Sequence, residues 1–275
     1  MLVKDMPTEL NEFFTHHYFH HGIRRFYVYD DGSDEPLADH NNATHGYSIP
    51  SNATTFSYIF PTDVAPEDRE HLQDRTMERC LREHGKKHTW MGLLDADEYL
   101  EMRSNEFPTL AGWLHHWEKK SSVGGVAVSW LPHSSDGKKH IQSAGFRHSF
   151  TECLTDHFKQ DNGFWLITHS KSFIRTGTPV TIPNIHSAWY EDDFVRVDEH
   201  GDDDKGMRVS IEPPTYEFWA LHHYATGSRE YFEGKASRGR SQGEGKWPVN
   251  EGYWNRYHNK KLTGYKCDEM TKYIP

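Results

Sequence analysis

The sequence predicts an α/β fold, a single domain built on an open, mostly parallel twisted sheet flanked by helices. Three observations predict it. The chain opens strand–helix–strand: Leu2-Val3, then residues 9–21 with Leu10, Phe13, Phe14 and Phe19 at helical spacing, then the β-rich run Arg25–Asp30. Two continuous apolar runs, Trp90–Asp95 and Gly125–Trp130, read as strands covered on both faces. Between them, residues 108–119 place Leu110, Trp113, Leu114 and Trp117 on one helical stripe.

The remaining elements follow in order. Gly22 stops the first helix, and Asp30–Asp34 is a turn after the second strand. Residues 35–55 are polar and read as loop, with a short strand at Ser57–Phe60. A helix runs from Pro66 to His84, closed by Gly85. Beyond residue 131 the signal weakens. Ser172–Arg175 and Thr178–Ile182 read as short strands, and 191–206, with Asp202, Asp203 and Asp204, as a solvated loop. A last helix spans Ser228 to about Arg240, and the tail 241–275 reads as mostly irregular.

Composition narrows the function classes. The 275 residues suffice for a sizeable core, which at 35% hydrophobic and 14% aromatic residues leans on Trp, Tyr and Phe. No stretch approaches the ~20 apolar residues of a membrane span. A net charge of −10 gives no electrostatic footprint for nucleic acid or an anionic membrane. Cys80, Cys153 and Cys267 match no zinc pattern; they allow one bridge plus a free thiol, or three buried thiols. Two glycosylation tripeptides, Asn42-Ala43-Thr44 and Asn52-Ala53-Thr54, favour a secretory lumen only slightly, and residues 1–10 do not read as a signal peptide.

The chemistry concentrates in Leu93-Leu94-Asp95-Ala96-Asp97-Glu98-Tyr99, an apolar strand ending in Asp-x-Asp. Ligands of α/β sheets bind at the carboxyl ends of strands. Two carboxylates one residue apart at such an end suit a hard divalent cation that bridges phosphates. The bland reading is a turn with two solvated acids.

Around this motif the sequence resembles the family 92 glycosyltransferases and the related glycosyl transferase family 2-like group. Glu12-Phe13-Phe14 with His17, Gly22-Ile23 and Phe26–Asp34 is similar to the family's opening. Gln73 with Cys80-Leu81, Leu94–Leu100, Lys171–Arg175, Ile185-His186-Ser187, and Leu221–Tyr224 with Lys235 and Arg238-Gly239 are similar to its later motifs, in the same order. The likeness covers residues 1–240, with 241–275 as an extension packed on that domain. Two departures stand out: Gly227 where the family often has Lys, and Leu131–Gly137 in place of a glycine-rich step.

The resemblance implies a GT-A fold and metal-dependent, inverting transfer of a sugar, such as galactose, from a UDP-sugar to a glycan acceptor. It implies Mn²⁺ or Mg²⁺ on Asp95, Asp97 and His223, with His186 and His222 as alternative third ligands. Lys4, Asp5, Asp30 and Asp31 would face the nucleoside, and Lys235 and Arg238 the departing diphosphate. Asp136 is the preferred base among Asp136, Glu152, Asp156, Asp192 and Asp193. Trp130, Trp165 and Trp189 are candidates for stacking on sugars. The competing reading is a non-catalytic nucleotide-sugar or glycan-binding module of the same fold; a His-rich metallohydrolase lacks the H-E-x-x-H pattern it would need. The expected setting is the Golgi lumen if an upstream anchor precedes the chain, and otherwise the cytoplasm of a microbial or viral host.

Overall fold

A computed structural model describes residues 1–41, 46–69, 71–140, 142–154, 169–203, 214–238, 251–258 and 263–274. Asp156, Trp165, Asp204 and the tripeptide Asn42–Thr44 lie outside the described residues.

The N-terminal unit is a three-stranded parallel sheet. β1 (Leu2–Val3) pairs with β2 (Phe26–Asp30), and β2 with β3 (Thr54–Tyr58). β3 begins three residues earlier than the apolar run alone predicts, because Thr54 and Thr55 supply β-branched pairing partners for Phe26 and Tyr27. Helix α1 (Pro7–Thr15) connects β1 to β2 and buries Leu10, Phe13 and Phe14. It continues as a wider π turn over His16–His20 and stops at Gly22, whose φ of +71° ends the helical path.

Two helices follow, α2 (Pro66–Arg69) and α3 (Leu72–His84). Gly85 is right-handed rather than a left-handed stop, and the chain tightens into a 3₁₀ turn over Gly85–Lys87. β4 (Trp90–Gly92) and β5 (Glu98–Met102) flank the Asp-x-Asp turn. Helix α4 (Leu110–Glu118) is capped by the Thr109 hydroxyl, which accepts from Gly112 N–H. It buries the stripe of Leu110, Trp113, Leu114 and Trp117.

Strand β6 (Val123–Pro132) is the hub, buried along its whole length. The chain next forms α5 (Phe146–Ser149), β7 (Glu152–Leu154), β8 (Ser170–Arg175), the hairpin of β9 (Val180–Asn184) and β10 (Ser187–Tyr190), β11 (Val195–Val197), and β12 (Trp219–His223). β6 pairs antiparallel with β8 along 125–129, parallel with β11 near its start and parallel with β12 along 130–132. β4 runs antiparallel to β8, and β5 antiparallel to β12.

The expected mostly parallel sheet is therefore corrected to a mixed one. Parallel neighbours need crossover connections of a dozen or more residues, usually helical. Among the described residues no helix separates β8 from β12; the β6–β8, β4–β8 and β5–β12 pairs run antiparallel, while β11 and β12 stay parallel to β6. The tail also carries more order than its composition suggests: after α6 (Arg229–Arg238) come α7 (Glu251–Tyr257) and β13 (Thr263–Lys266), which pairs with β7. A disulfide joins Cys153 to Cys267, and Cys80 is free and buried. Among the described residues, no helix is long and apolar enough to cross a membrane.

Candidate functional site

The site forms where β4 turns toward β5. Leu93 N–H still bonds to Ser172 O (3.0 Å), extending the ladder with β8. The chain then folds over a tight turn in which Glu98 N–H donates to Asp95 O (3.2 Å) and Asp95 N–H to the Glu98 carboxylate (2.8 Å). Asp97 sits opposite Tyr224, whose N–H donates to Asp97 O (3.0 Å). That bond continues the β5–β12 pairing, in which His223 faces Glu98. The ladder thus carries His223 and its neighbours, more than a hundred residues later in the chain, to the Asp-x-Asp turn.

The two carboxylates are held by cations. Asp95 Oδ2 accepts from Lys171 Nζ (2.7 Å) and Oδ1 from Gln73 Nε2 (2.9 Å). Asp97 Oδ2 accepts from Lys235 Nζ (2.6 Å), and its Oδ1 lies 3.7 Å from His223 Nε2. Burial pushes the Asp97 carboxyl up, but Lys235 and then His223 outweigh it and hold it well below the usual range. Burial lowers the His223 pKa to about 4 against the pull of Asp97, so its imidazole is neutral at pH 7, the form in which histidine ligates metal. Trp130 packs over that ring at 3.8 Å between centroids and meets His186 edge-on at 4.8 Å. Trp130 is buried, so it positions His223; Trp189 is exposed on β10.

Three members were not singled out as site residues from sequence. Lys171 is completely buried, 2.7 Å from Asp95 and 3.7 Å from Glu98. Burial drives the Glu98 carboxyl well above its ordinary range, and Lys171 only partly offsets this. Gln73 completes the shell around Asp95. The available signal is weak: Lys171 stands near the start of a strand whose apolar residues are Phe173 and Ile174, and a lysine is almost never fully buried unless paired.

The other expected residues are placed as follows. Asp30 spends both carboxylate oxygens on the turn after β2, accepting from Ser33 N–H (2.9 Å) and Leu37 N–H (2.8 Å). Asp31 pairs with Arg69 at 3.0 Å. Asp5 has φ +50° and bridges β1 to the same turn, donating from its N–H to Ser33 Oγ and accepting from Asp34 N–H, both at 2.8 Å. Lys4 acts electrostatically on Asp31, and Arg238 reaches the Asp5 carbonyl at 3.5 Å. His186 contacts Ser170 O at 3.2 Å through Nδ1, and His222 lies on the opposite face of β12 from His223. Asp192, at φ +57°, and Asp193 occupy the exposed turn between β10 and β11.

Asp136 works inside its own loop. Its carboxylate accepts from Thr151 N–H (2.6 Å), Thr151 Oγ (3.2 Å), Glu152 N–H (2.9 Å) and Lys138 Nζ (3.1 Å). Those bonds clamp the entry to β7 and turn its oxygens inward.

The donor set is that of a hard-cation site, two carboxylates and one neutral imidazole. In the described conformation Lys171 and Lys235 hold the two carboxylates, and Asp95, Asp97 and His223 do not form a group whose ligand atoms all lie within 4.8 Å of one another. A cavity of about 280 Å³ opens elsewhere, lined by Met1, Phe26, Tyr27, Met91, Leu93 and Phe173, and none of the three residues borders it. No family model matches the chain, and no curated protein matches it significantly.

Proposed function

We propose that the protein is a metal-dependent, inverting glycosyltransferase of the GT-A type that moves a hexose, such as galactose, from a UDP-sugar to a glycan acceptor. One observation carries the reading: Asp95 and Asp97 at the end of an apolar strand share one electrostatic site with His223 and Lys235 from the far end of the chain. Asp95, Asp97 and His223 would hold Mn²⁺ or Mg²⁺, which supplies neutralising charge for a diphosphate. Lys235, its side chain 30% exposed, can exchange Asp97 for a phosphate oxygen, while the buried Lys171 stays with Asp95 and Glu98. Asp136 and Glu152 are the candidate bases at the entry to β7, Asp136 enclosed by its hydrogen bonds and Glu152 exposed.

The test is titration of UDP with and without Mn²⁺ on the wild type and Asp97→Ala. Mn²⁺ should tighten binding by the wild type and do nothing for the variant. Equal, metal-independent binding by both would remove the metal from the reading. The occupied carboxylates favour a second reading, a non-catalytic nucleotide-sugar-binding module. Slow UDP-sugar hydrolysis separates the two: the transferase shows it, and the module binds UDP without turnover.

A further inference from the structure

The opposite face of β12 carries a second cluster. Side chains alternate across a strand, so while His223 faces Asp97, His222 points the other way. There it joins His133, Cys153 and Cys267, all four buried, with ligand atoms within 4.8 Å of one another. His133 Nε2 lies 2.7 Å from His222 Nδ1 and 3.5 Å from Cys153 Sγ. The remaining ring nitrogen of His222 meets the Glu101 carboxylate at 3.0 Å, and Lys272 Nζ holds that carboxylate at 2.9 Å.

Two sulfurs and two imidazoles are the donor set of a closed, tetrahedral zinc site. A carboxylate on the outer nitrogen of a ligating histidine is the usual support that fixes its tautomer and orientation. Zn–S near 2.3 Å and Zn–N near 2.0 Å put tetrahedral ligand atoms roughly 3.3–3.8 Å apart. The His133–Cys153 separation already fits, the two imidazoles need to open by a few tenths of an ångström, and the two sulfurs must part. The ligands come from four separate segments: the residue after β6, β7, β12 and the residue after β13. No local spacing pattern could have revealed them.

We propose that His133, Cys153, His222 and Cys267 form a redox-gated Zn²⁺ site. With the Cys153–Cys267 disulfide closed, the sulfurs are bonded to each other and cannot ligate. A dithiol reductant delivers two electrons and two protons, the S–S bond breaks, and the reductant leaves as its own disulfide. Zn²⁺ then replaces the two thiol protons and binds both imidazoles. A disulfide oxidant reverses the change: it accepts the two electrons, the sulfurs rejoin and the ion is released. Either state ties the C-terminal segment to the sheet; in the oxidised state the His222 ring is held by His133 and Glu101, and in the metal state by the ion and Glu101. His133 N–H donates to His223 O at 2.9 Å, so ordering the cluster steadies the backbone that presents His223.

The experiment is Co²⁺ titration of the whole chain, oxidised and then reduced and freed of reductant without air. The reduced protein should bind one Co²⁺ with a thiolate-to-cobalt charge-transfer band and tetrahedral ligand-field bands, both abolished by Zn²⁺. The oxidised protein should show neither. Asp95, Asp97 and His223 offer no sulfur, so Co²⁺ there gives no such band, and Asp97→Ala should keep it, as should Cys80→Ser. Cys267→Ser should lose it. His133→Ala keeps both cysteines, guards against a folding defect, and should weaken Co²⁺ binding at least tenfold; Glu101→Gln should weaken it by about 10–100-fold. A reduced, folded wild type without the band, or a band that survives both Cys267→Ser and His133→Ala, would overturn the proposal.

Discussion

Lys171 is where burial and charge meet most sharply. Moving an ammonium out of water costs several kcal/mol unless anions answer it, and here Asp95 and Glu98 do so at 2.7 and 3.7 Å. Removing one partner of such a group leaves the others buried and uncompensated. Lys171→Met should therefore lower the unfolding free energy by about 3–5 kcal/mol in urea denaturation. Adding Glu98→Gln should recover part of that loss, because the amide removes the carboxylate that Lys171 no longer balances. A double variant no more stable than Lys171→Met would refute the pairing. Gly227 is constrained just as locally. Its φ is +52°, and a Cβ there would stand 2.8 Å from the Tyr231 ring and 3.0 Å from the Phe146 ring. Gly227→Ala should cost about 1–3 kcal/mol in the same measurement, since left-handed strain and crowding act together.

Between elements, polar side chains do much of the joining. Glu12 on α1 accepts from the backbone of Phe146 (2.8 Å) and Arg147 (3.2 Å) and from Arg147 Nε (3.1 Å), fixing the start of α5. Asp136 plays the corresponding part at β7. Asp136→Ala should thus lower stability by about 1–3 kcal/mol while leaving Mn²⁺-dependent UDP affinity unchanged, checked by calorimetric titration on the same preparation. Loss of UDP binding by a fully folded variant would contradict the clamp. These links also explain what could be read from sequence. β1, β2, β4, β6, α1, α3, α4 and α6 carry their own periodicity or apolar run. β5, β7, β10 and β12 do not: β5 begins inside the acidic motif, and β12 contains His222 and His223, whose burial is answered by Glu101 of β5 and by Asp97 in the turn before it. The Asp-x-Asp turn and His223 were legible as types and order. Lys171 was not, because what makes it a site residue is its distance from Asp95 in space.

The whole molecule is histidine-rich, and many of those rings are buried. His16, His17 and His21 form one cluster under α1: His16 and His21 both point Nε2 at Leu100 O, at 2.7 and 2.8 Å. His17 contacts Phe13 O at 2.9 Å. The charged groups that act most on them are cations: Arg147, itself paired with Glu12, contacts His16 at 3.2 Å, His20 and Lys272 add positive charge, and Tyr99 and Tyr273 pack against the rings. Burial, reinforced by these cations, lowers all three, His21 to about 3 from 6.5. A histidine depressed in the folded state stabilises fully above its unfolded pKa and loses that contribution as pH falls, because the unfolded chain takes up the proton first. Each adds a slope of at most about 1.4 kcal/mol per pH unit, about 4 kcal/mol per unit for three. Glu98 acts with the opposite sign, since burial raises it and its contribution shrinks as pH rises; Glu9, Asp31 and Asp74 do so less strongly. The depressed histidines outnumber these raised carboxyls at strongly buried sites, so the net slope favours neutral pH. Urea midpoints taken at about pH 7, 6 and 5 should fall progressively, and His21→Phe, which keeps a ring in place, should make the fall shallower without abolishing it, because His133, His186, His222 and His223 are lowered by burial as well. A midpoint constant across that range, with the wild type folded throughout, would mean the cluster is open to protons in the native state.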